Sequence, residues 1–184
     1  MAAENKKTKM KKIVIIGPES TGKSTLCTQL AAYFKTEWVK EYAREYLLTN
    51  GTDYKVEDLF TIAEGQIKNE ETVSNTFPEN YSGPFFLDTD FKVIQVWSEF
   101  VFNECDNRIL KKVAKDNYHL YLLCNTDLPW VKDELREYPD LKTREELFHH
   151  YQQILIDQHV PWVLIKGKDE ERLSIAIEAV NAIL

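Results

Sequence analysis

The sequence is short of sulfur, of positive charge and of long apolar runs, and each shortage argues against a class of function. Its three cysteines, Cys27, Cys105 and Cys124, are scattered and form no CxxC pair. No disulfide is expected, and the pattern fits reduced thiols in a cytoplasmic protein. Lys and Arg number 23 against 30 Asp and Glu, which leaves a formal charge of −7 and a pI near 5.2. A broad polyanion-binding surface is therefore not expected, nucleic acid is a poor partner, and any anion must be held by a local cluster of donors. The leader MAAENKKTKMKK is basic, but the IVIIG that follows is too short for a signal-peptide core or a membrane span. Residues 1–10 read as a disordered arm. No internal repeat or low-complexity segment is present. The chain of 184 residues, 43% hydrophobic and 12% aromatic, suffices for one α/β domain over residues 11–184.

Apolar periodicity alternates between strand and helix. KIVIIG (12–17), a short stretch within EWVKEYAREY, GPFFLDTD (83–90), YHLYLLCN (118–125) and PWVLIKG (161–167) read as five strands. Helical stripes fall at Leu26, Leu30, Tyr33 and Phe34; at Val56, Leu59, Phe60, Ala63 and Ile67; and at Val93, Ile94, Trp97 and Val101. Two more run through Leu147, Tyr151, Ile154 and Leu155, and through Leu173, Ile177, Val180 and Leu184. Such alternation implies right-handed crossovers and a parallel five-stranded sheet with helices on both faces. Ligands then bind at the carboxyl ends of the strands, which brings the loop after the first strand, 88–90, 125–127 and 167–169 to one edge.

The first of these loops, Gly17-Pro18-Glu19-Ser20-Thr21-Gly22-Lys23-Ser24, fits G-x-x-x-x-G-K-[ST] without mismatch. It also has the strand before and the helix after that the motif requires. Inward-pointing amides and a helix N-terminus bind polyphosphate without a basic surface. ATP phosphates are expected on Gly17, Glu19, Ser20, Thr21, Gly22, Lys23, Ser24 and Thr25. Lys23 should reach the β- and γ-phosphates, and the Ser24 hydroxyl should join a Mg²⁺ shell.

Asp88 ends a buried strand, where its charge requires a metal, an amine or a substrate hydroxyl. Asp90 lies at the start of the next helix, either on the acceptor or as a helix cap. No lysine separates Asn125 from Asp127 and no D-x-x-G follows Asp88, which argues against a GTPase switch. A mechanical ATPase or AAA-type machine carries further elements on a larger chain. A small-molecule kinase fits better, with an arginine-bearing lid over 127–146 in which Pro129 and Pro139 bracket a short helix. Arg136 is preferred over Arg144 for the transferring phosphoryl group, and Trp130 and Tyr138 serve as apolar anchors. In EYAREY (41–46), Glu41, Arg44 and two tyrosines either line an acceptor pocket or make surface pairs. His149 and His150 read as surface residues.

With these motifs in order, the chain resembles the nicotinamide-riboside kinase domain at the C-terminus of bacterial NadR proteins, a branch of the P-loop NTPases. The resemblance covers about 12–184 and is specific in KEYAREY, LDTDF and the W-V-x-D-x-x-R of 130–136. It implies transfer of the ATP γ-phosphate to the 5′-hydroxyl of nicotinamide riboside. It also implies Mg²⁺ near Ser24 and Asp88, and acceptor contacts from Glu41, Arg44, Asp88 and Asp90, with Trp130 added from the lid. Lys23, Asp88 and Arg136 become the catalytic set, with Asp88 aligning or deprotonating the ribose hydroxyl. Lys40 stands where the resemblance places an aromatic side chain, and the helix around 65–71 has none. No H-x-G-H signature is present, so the implied reaction stops at the mononucleotide. A kinase of another nucleoside or vitamin-like alcohol and an ATP-binding regulatory module stay open, as does the oligomeric state.

Overall fold

A computed structural model describes residues 10–115 and 117–184. The expected basic arm lies, up to residue 9, outside the described residues, and Met10 packs against the core. Five strands form one parallel sheet: β1 (Lys11–Ile16), β2 (Trp38–Val39), β3 (Pro84–Asp88), β4 (Leu120–Cys124) and β5 (Trp162–Ile165), in the order β2-β3-β1-β4-β5. Among the described residues seven helices connect and cover them: α1 (Lys23–Phe34), α2 (Tyr42–Asn50), α3 (Val56–Ser74), α4 (Phe91–Phe102), α5 (Asn107–Val113), α6 (Leu141–Ile156) and α7 (Asp169–Asn181). The expected fold class holds.

Strand alternation sorts the core into two layers. Ile13, Ile15, Phe86, Leu122 and Cys124 face Leu26, Cys27 and Leu30 of α1 and Ala176 and Val180 of α7. Val14, Ile16, Phe85, Leu87, Tyr121 and Leu123 face Val93 and Val96 of α4 and Leu147, Tyr151 and Leu155 of α6. A third cluster joins α2 to α5 around Leu59, Ile62, Phe91, Ile94 and Ile109. Both faces of the three central strands are thus buried, which is why those strands read as nearly continuous apolar runs.

The order reverses at β1, which pairs with β3 on one side and β4 on the other. Ile15 is in register with Asp88, so the loop after β1 and the end of β3 meet at the crevice where such sheets bind ligands. Among the described residues no helix is long and apolar enough to cross a membrane.

Two sequence expectations change. Helix α5 leaves no periodic signal in the sequence, because its seven residues are too few to show a period; its clearest signal is its cap, Asp106, accepting from the Arg108 amide at 2.7 Å. Between Pro129 and Pro139 there is no helix, only a turn at Glu134 and Leu135. Side chains take the amides a helix would use: Asp133 accepts from Leu135, and Glu19 from Glu137 and Tyr138.

Candidate active site

The phosphate loop is held open by two glycines. Gly17 has φ 140°, and a Cβ there would sit 2.7 Å from the Cys124 carbonyl oxygen, a backbone atom that cannot yield. Gly22, at φ 77°, caps α1 in the left-handed region without a side-chain acceptor, and no acidic residue occupies the first turn. The first amides of α1 and its positive dipole end thus serve an anion. The Thr21 hydroxyl closes the loop on the Pro18 carbonyl at 2.7 Å. Lys23 lies across its mouth, its ammonium donating to the carbonyls of Gly17 and Pro18 at 3.0 Å each.

Opposite the loop, Asp88 is buried, 1% exposed. Its Oδ2 accepts a short hydrogen bond from the Ser24 hydroxyl, while its Oδ1 has no hydrogen-bond partner among the described residues. Burial raises its pKa, against the Lys23 charge and the Ser24 hydroxyl, which lower it. Thr89 then takes φ 74°, a conformation a β-branched residue adopts only under constraint. Across it Asp88 meets the loop, while Asp90 turns to cap α4.

Asp90 therefore departs from the acceptor role expected of it. Its Oδ1 accepts the Lys92 and Val93 amides at 3.0 and 3.3 Å, and its Oδ2 the Tyr121 hydroxyl at 2.7 Å. Buried to 1% exposure, it lies away from the cavity lining. Gln66, which the sequence does not single out, joins α2 to β3: its amide oxygen accepts from the Tyr42 amide at 2.7 Å, and its nitrogen donates to the Asp88 carbonyl at 3.3 Å.

Beside the loop opens a cavity of about 280 Å³. From α2 and the residue before it come Glu41, Ala43, Arg44 and Leu47; from α4, Val93, Trp97 and Phe100; from α6, Leu147 and Tyr151. The roof is Leu135, Arg136, Glu137 and Tyr138, and the Tyr138 ring meets Phe100 edge-on at 5.5 Å. Glu41 is on this lining and Asp88 is not. Burial, then the Asp88 charge, push Glu41 up to about 7, against Lys23 and Arg44, which lower it.

The remaining expectations sort by contact. The two tyrosines of EYAREY leave the cavity: a Cβ on Gly65 would collide with the Tyr42 ring, and the Tyr46 hydroxyl donates to Asp58 at 2.7 Å. Among the described residues Arg44 pairs with neither Glu41 nor Glu45; it lines the cavity and makes a two-pronged ion pair with Asp133, at 3.1 Å on each arm. Trp130 is absent from the cavity lining, and its indole donates to Glu19 at 3.1 Å. Glu19 and Ser20, expected on the phosphates, turn their side chains to the 129–138 segment. Arg136 reaches Ser20 Oγ at 3.4 Å and the Val131 carbonyl. Arg144, 2% exposed, donates instead to the backbone of Ser20 and Leu128, at 3.2 Å each. His149 is exposed, whereas His150 is partly buried and meets Glu99 at 2.8 Å.

Arg172 is a further residue without a sequence signal. Only 4% exposed, it donates to the Thr21 carbonyl at 2.7 Å and to Asp127 at 2.8 Å, and Asp127 also accepts the Gly167 amide at 2.6 Å. This staple joins the loops after β1, β4 and β5 on one edge, as the alternation of strands and helices predicts.

Sheet order, loop and cavity define a P-loop NTPase of the fold shared by nucleoside and nucleotide kinases. A family model described as an AAA domain matches residues 12–172, and the chain belongs to that family. It is 26% identical over 178 residues to the trifunctional NAD biosynthesis/regulator protein NadR of Escherichia coli K12, covering 94% of this chain and 42% of the relative. The chain thus spans less than half of that protein. A crystal structure of NadR protein in complex with NR superimposes with a TM-score of 0.76 at 25% identity, over 95% of this chain and 50% of that one. A deoxyadenosine kinase from M. mycoides with bound dATP shares the fold, with a TM-score of 0.60 at 12% identity, over 93% and 99% of the two chains. These relatives agree with the resemblance to NadR proteins read from the sequence.

Proposed function

We propose that this protein is an ATP-dependent kinase that phosphorylates the 5′-hydroxyl of nicotinamide riboside to give nicotinamide mononucleotide. The carrying observation is the cavity itself: a phosphate loop at one end, a carboxylate facing it, and apolar and aromatic walls beyond. Trp97, Phe100 and Tyr138 supply flat surfaces for a planar ring, in place of an aromatic at position 40, where Lys40 is exposed. The likeness to a NadR structure holding NR supports that acceptor. The free thiols of Cys27, Cys105 and Cys124 suit a reducing, cytoplasmic setting.

The residues fit a magnesium ion. The Ser24 hydroxyl already meets Asp88, whose second oxygen is buried without a hydrogen bond among the described residues. Mg²⁺ is bound by one or two protein oxygens together with water and phosphate, so Ser24 and Asp88 are the residues that would hold it. When bound, the ion supplies charge neutralisation at the phosphates. The amides of 17–25 orient the polyphosphate, and Lys23 exchanges its two carbonyl partners for phosphate oxygens. Glu41, rather than Asp88, orients the acceptor hydroxyl and receives its proton, because Glu41 lines the cavity while Asp88 is engaged by the Ser24 hydroxyl. Arg136 comes from the roof to the transferring group. Phosphoryl transfer of this kind depends mostly on positioning and charge.

Incubation with MgATP and single nucleosides tests the reading. Nicotinamide mononucleotide is the expected product, and turnover of another nucleoside or vitamin-like alcohol without that product would reject the acceptor. Nucleotide binding with no turnover of any acceptor would reject the kinase in favour of a regulatory module.

A further inference from the structure

One carboxylate gathers three donors from segment 129–138. Glu19 Oε1 accepts the Trp130 indole at 3.1 Å and the Tyr138 amide at 2.7 Å, and Oε2 accepts the Glu137 amide at 3.0 Å. The adjacent Ser20 hydroxyl accepts the Val131 amide at 2.9 Å and the Arg136 guanidinium at 3.4 Å, and lies 3.4 Å from the Pro129 carbonyl. Segment 129–138 has no helix or strand of its own, so these contacts fix its path. They grip it at both ends, at Trp130 and Val131 and again at Glu137 and Tyr138, with Arg136 directly beside the second grip.

The acceptor side holds the same segment by hydrogen bonds at fewer positions. Arg44 meets Asp133 with 48% of the arginine side chain exposed, and the Tyr54 hydroxyl meets Glu137 at 3.1 Å in an exposed contact. A carboxylate accepting several N–H donors is a strong anchor.

We propose that Glu19 is a positioning residue for phosphoryl transfer: it fastens segment 129–138 to the phosphate loop and thereby sets Arg136 over the cavity. The roof is then carried by the donor half of the site. Any shift of the loop as it closes on a nucleotide is carried directly to Arg136. This inference rests on the kinase reading for its catalytic consequence, but not for the anchoring itself.

Glu19→Gln keeps the size of the side chain and turns one acceptor oxygen into a donor that faces N–H groups. In the full chain, amide hydrogen exchange at Glu137 and Tyr138 is expected to rise at least about tenfold in this variant. With the acceptor that supports turnover, kcat should fall about tenfold while KM for ATP moves less than roughly threefold. In an Arg136→Ala background the same change should lower kcat by less than roughly threefold, because its route is already cut. Unchanged exchange at the two amides overturns the anchoring. Fully multiplicative losses in the double variant, or a raised KM for ATP with kcat intact, overturn the positioning role. The exchange measurement needs no acceptor, so a wrong acceptor shows only in the turnover arm.

Discussion

Lys23 and Glu41 both line the cavity, and each is legible to a different degree. Lys23 follows from its motif alone. Replacing it with Ala should cost about 2–4 kcal/mol of transition-state stabilisation, the scale of one preorganised donor, read as kcat/KM against wild type. Glu41 cannot be ranked above Asp88 from sequence, because which carboxylate faces the cavity depends on the turn at Thr89 and on the Ser24–Asp88 bond. With its pKa pushed up to about 7, Glu41 keeps a proton in the folded state that the unfolded chain has already lost. Its contribution to stability is full below its ordinary value of 4.5 and is lost as pH rises to about 7. Glu41→Gln should therefore flatten the fall in denaturation midpoint over that window. The same charge change should make wild-type kcat/KM rise through pH about 7, and Glu41→Gln should abolish that rise and lower kcat about 100-fold. Asp90 and Gln66 were beyond sequence reading for opposite reasons. An aspartate before a helix is chemically the same whether it caps or binds, and a glutamine inside a helix carries no signal until the fold brings β3 against it.

Among the elements, α1 and its loop are the most legible, since motif, glycine positions and flanking periodicity agree. The 129–138 segment is the least. Its prolines and mixed charges imply a lid, but its path is set by Glu19 and Ser20, more than a hundred residues away in sequence, and no local pattern encodes that pairing. Its two kinds of attachment predict different costs. Asp133→Asn breaks an exposed pair and should destabilise the fold by less than about 1 kcal/mol, while increasing tryptic cleavage after Lys132 and Arg136. Arg172→Met removes a buried guanidinium that bonds both Thr21 and Asp127. It should cost about 2–3 kcal/mol in chemical denaturation, in the range of hydrogen bonds to charged groups. Equal costs for the two variants would contradict the distinction drawn between roof and staple.

For the molecule as a whole, the alternation of strands and helices foretells the parallel sheet and the shared edge at which the loops after β1, β3, β4 and β5 gather. Periodicity suffices there because the three central strands are buried on both faces and the longer helices keep an apolar stripe. The acceptor cavity is not legible in this way: its walls come from α2, α4, α6 and 129–138, and aromatic residues such as Trp97, Phe100 and Tyr138 converge only in the folded chain. The central claim is that this cavity receives nicotinamide riboside beside a donor-bound phosphate loop. Transfer of a γ-labelled phosphate from MgATP to an equimolar mixture of nicotinamide riboside, adenosine, cytidine and thymidine tests it most directly. The account predicts label chiefly in nicotinamide mononucleotide, and label chiefly in another mononucleotide, or in none of them, would contradict it.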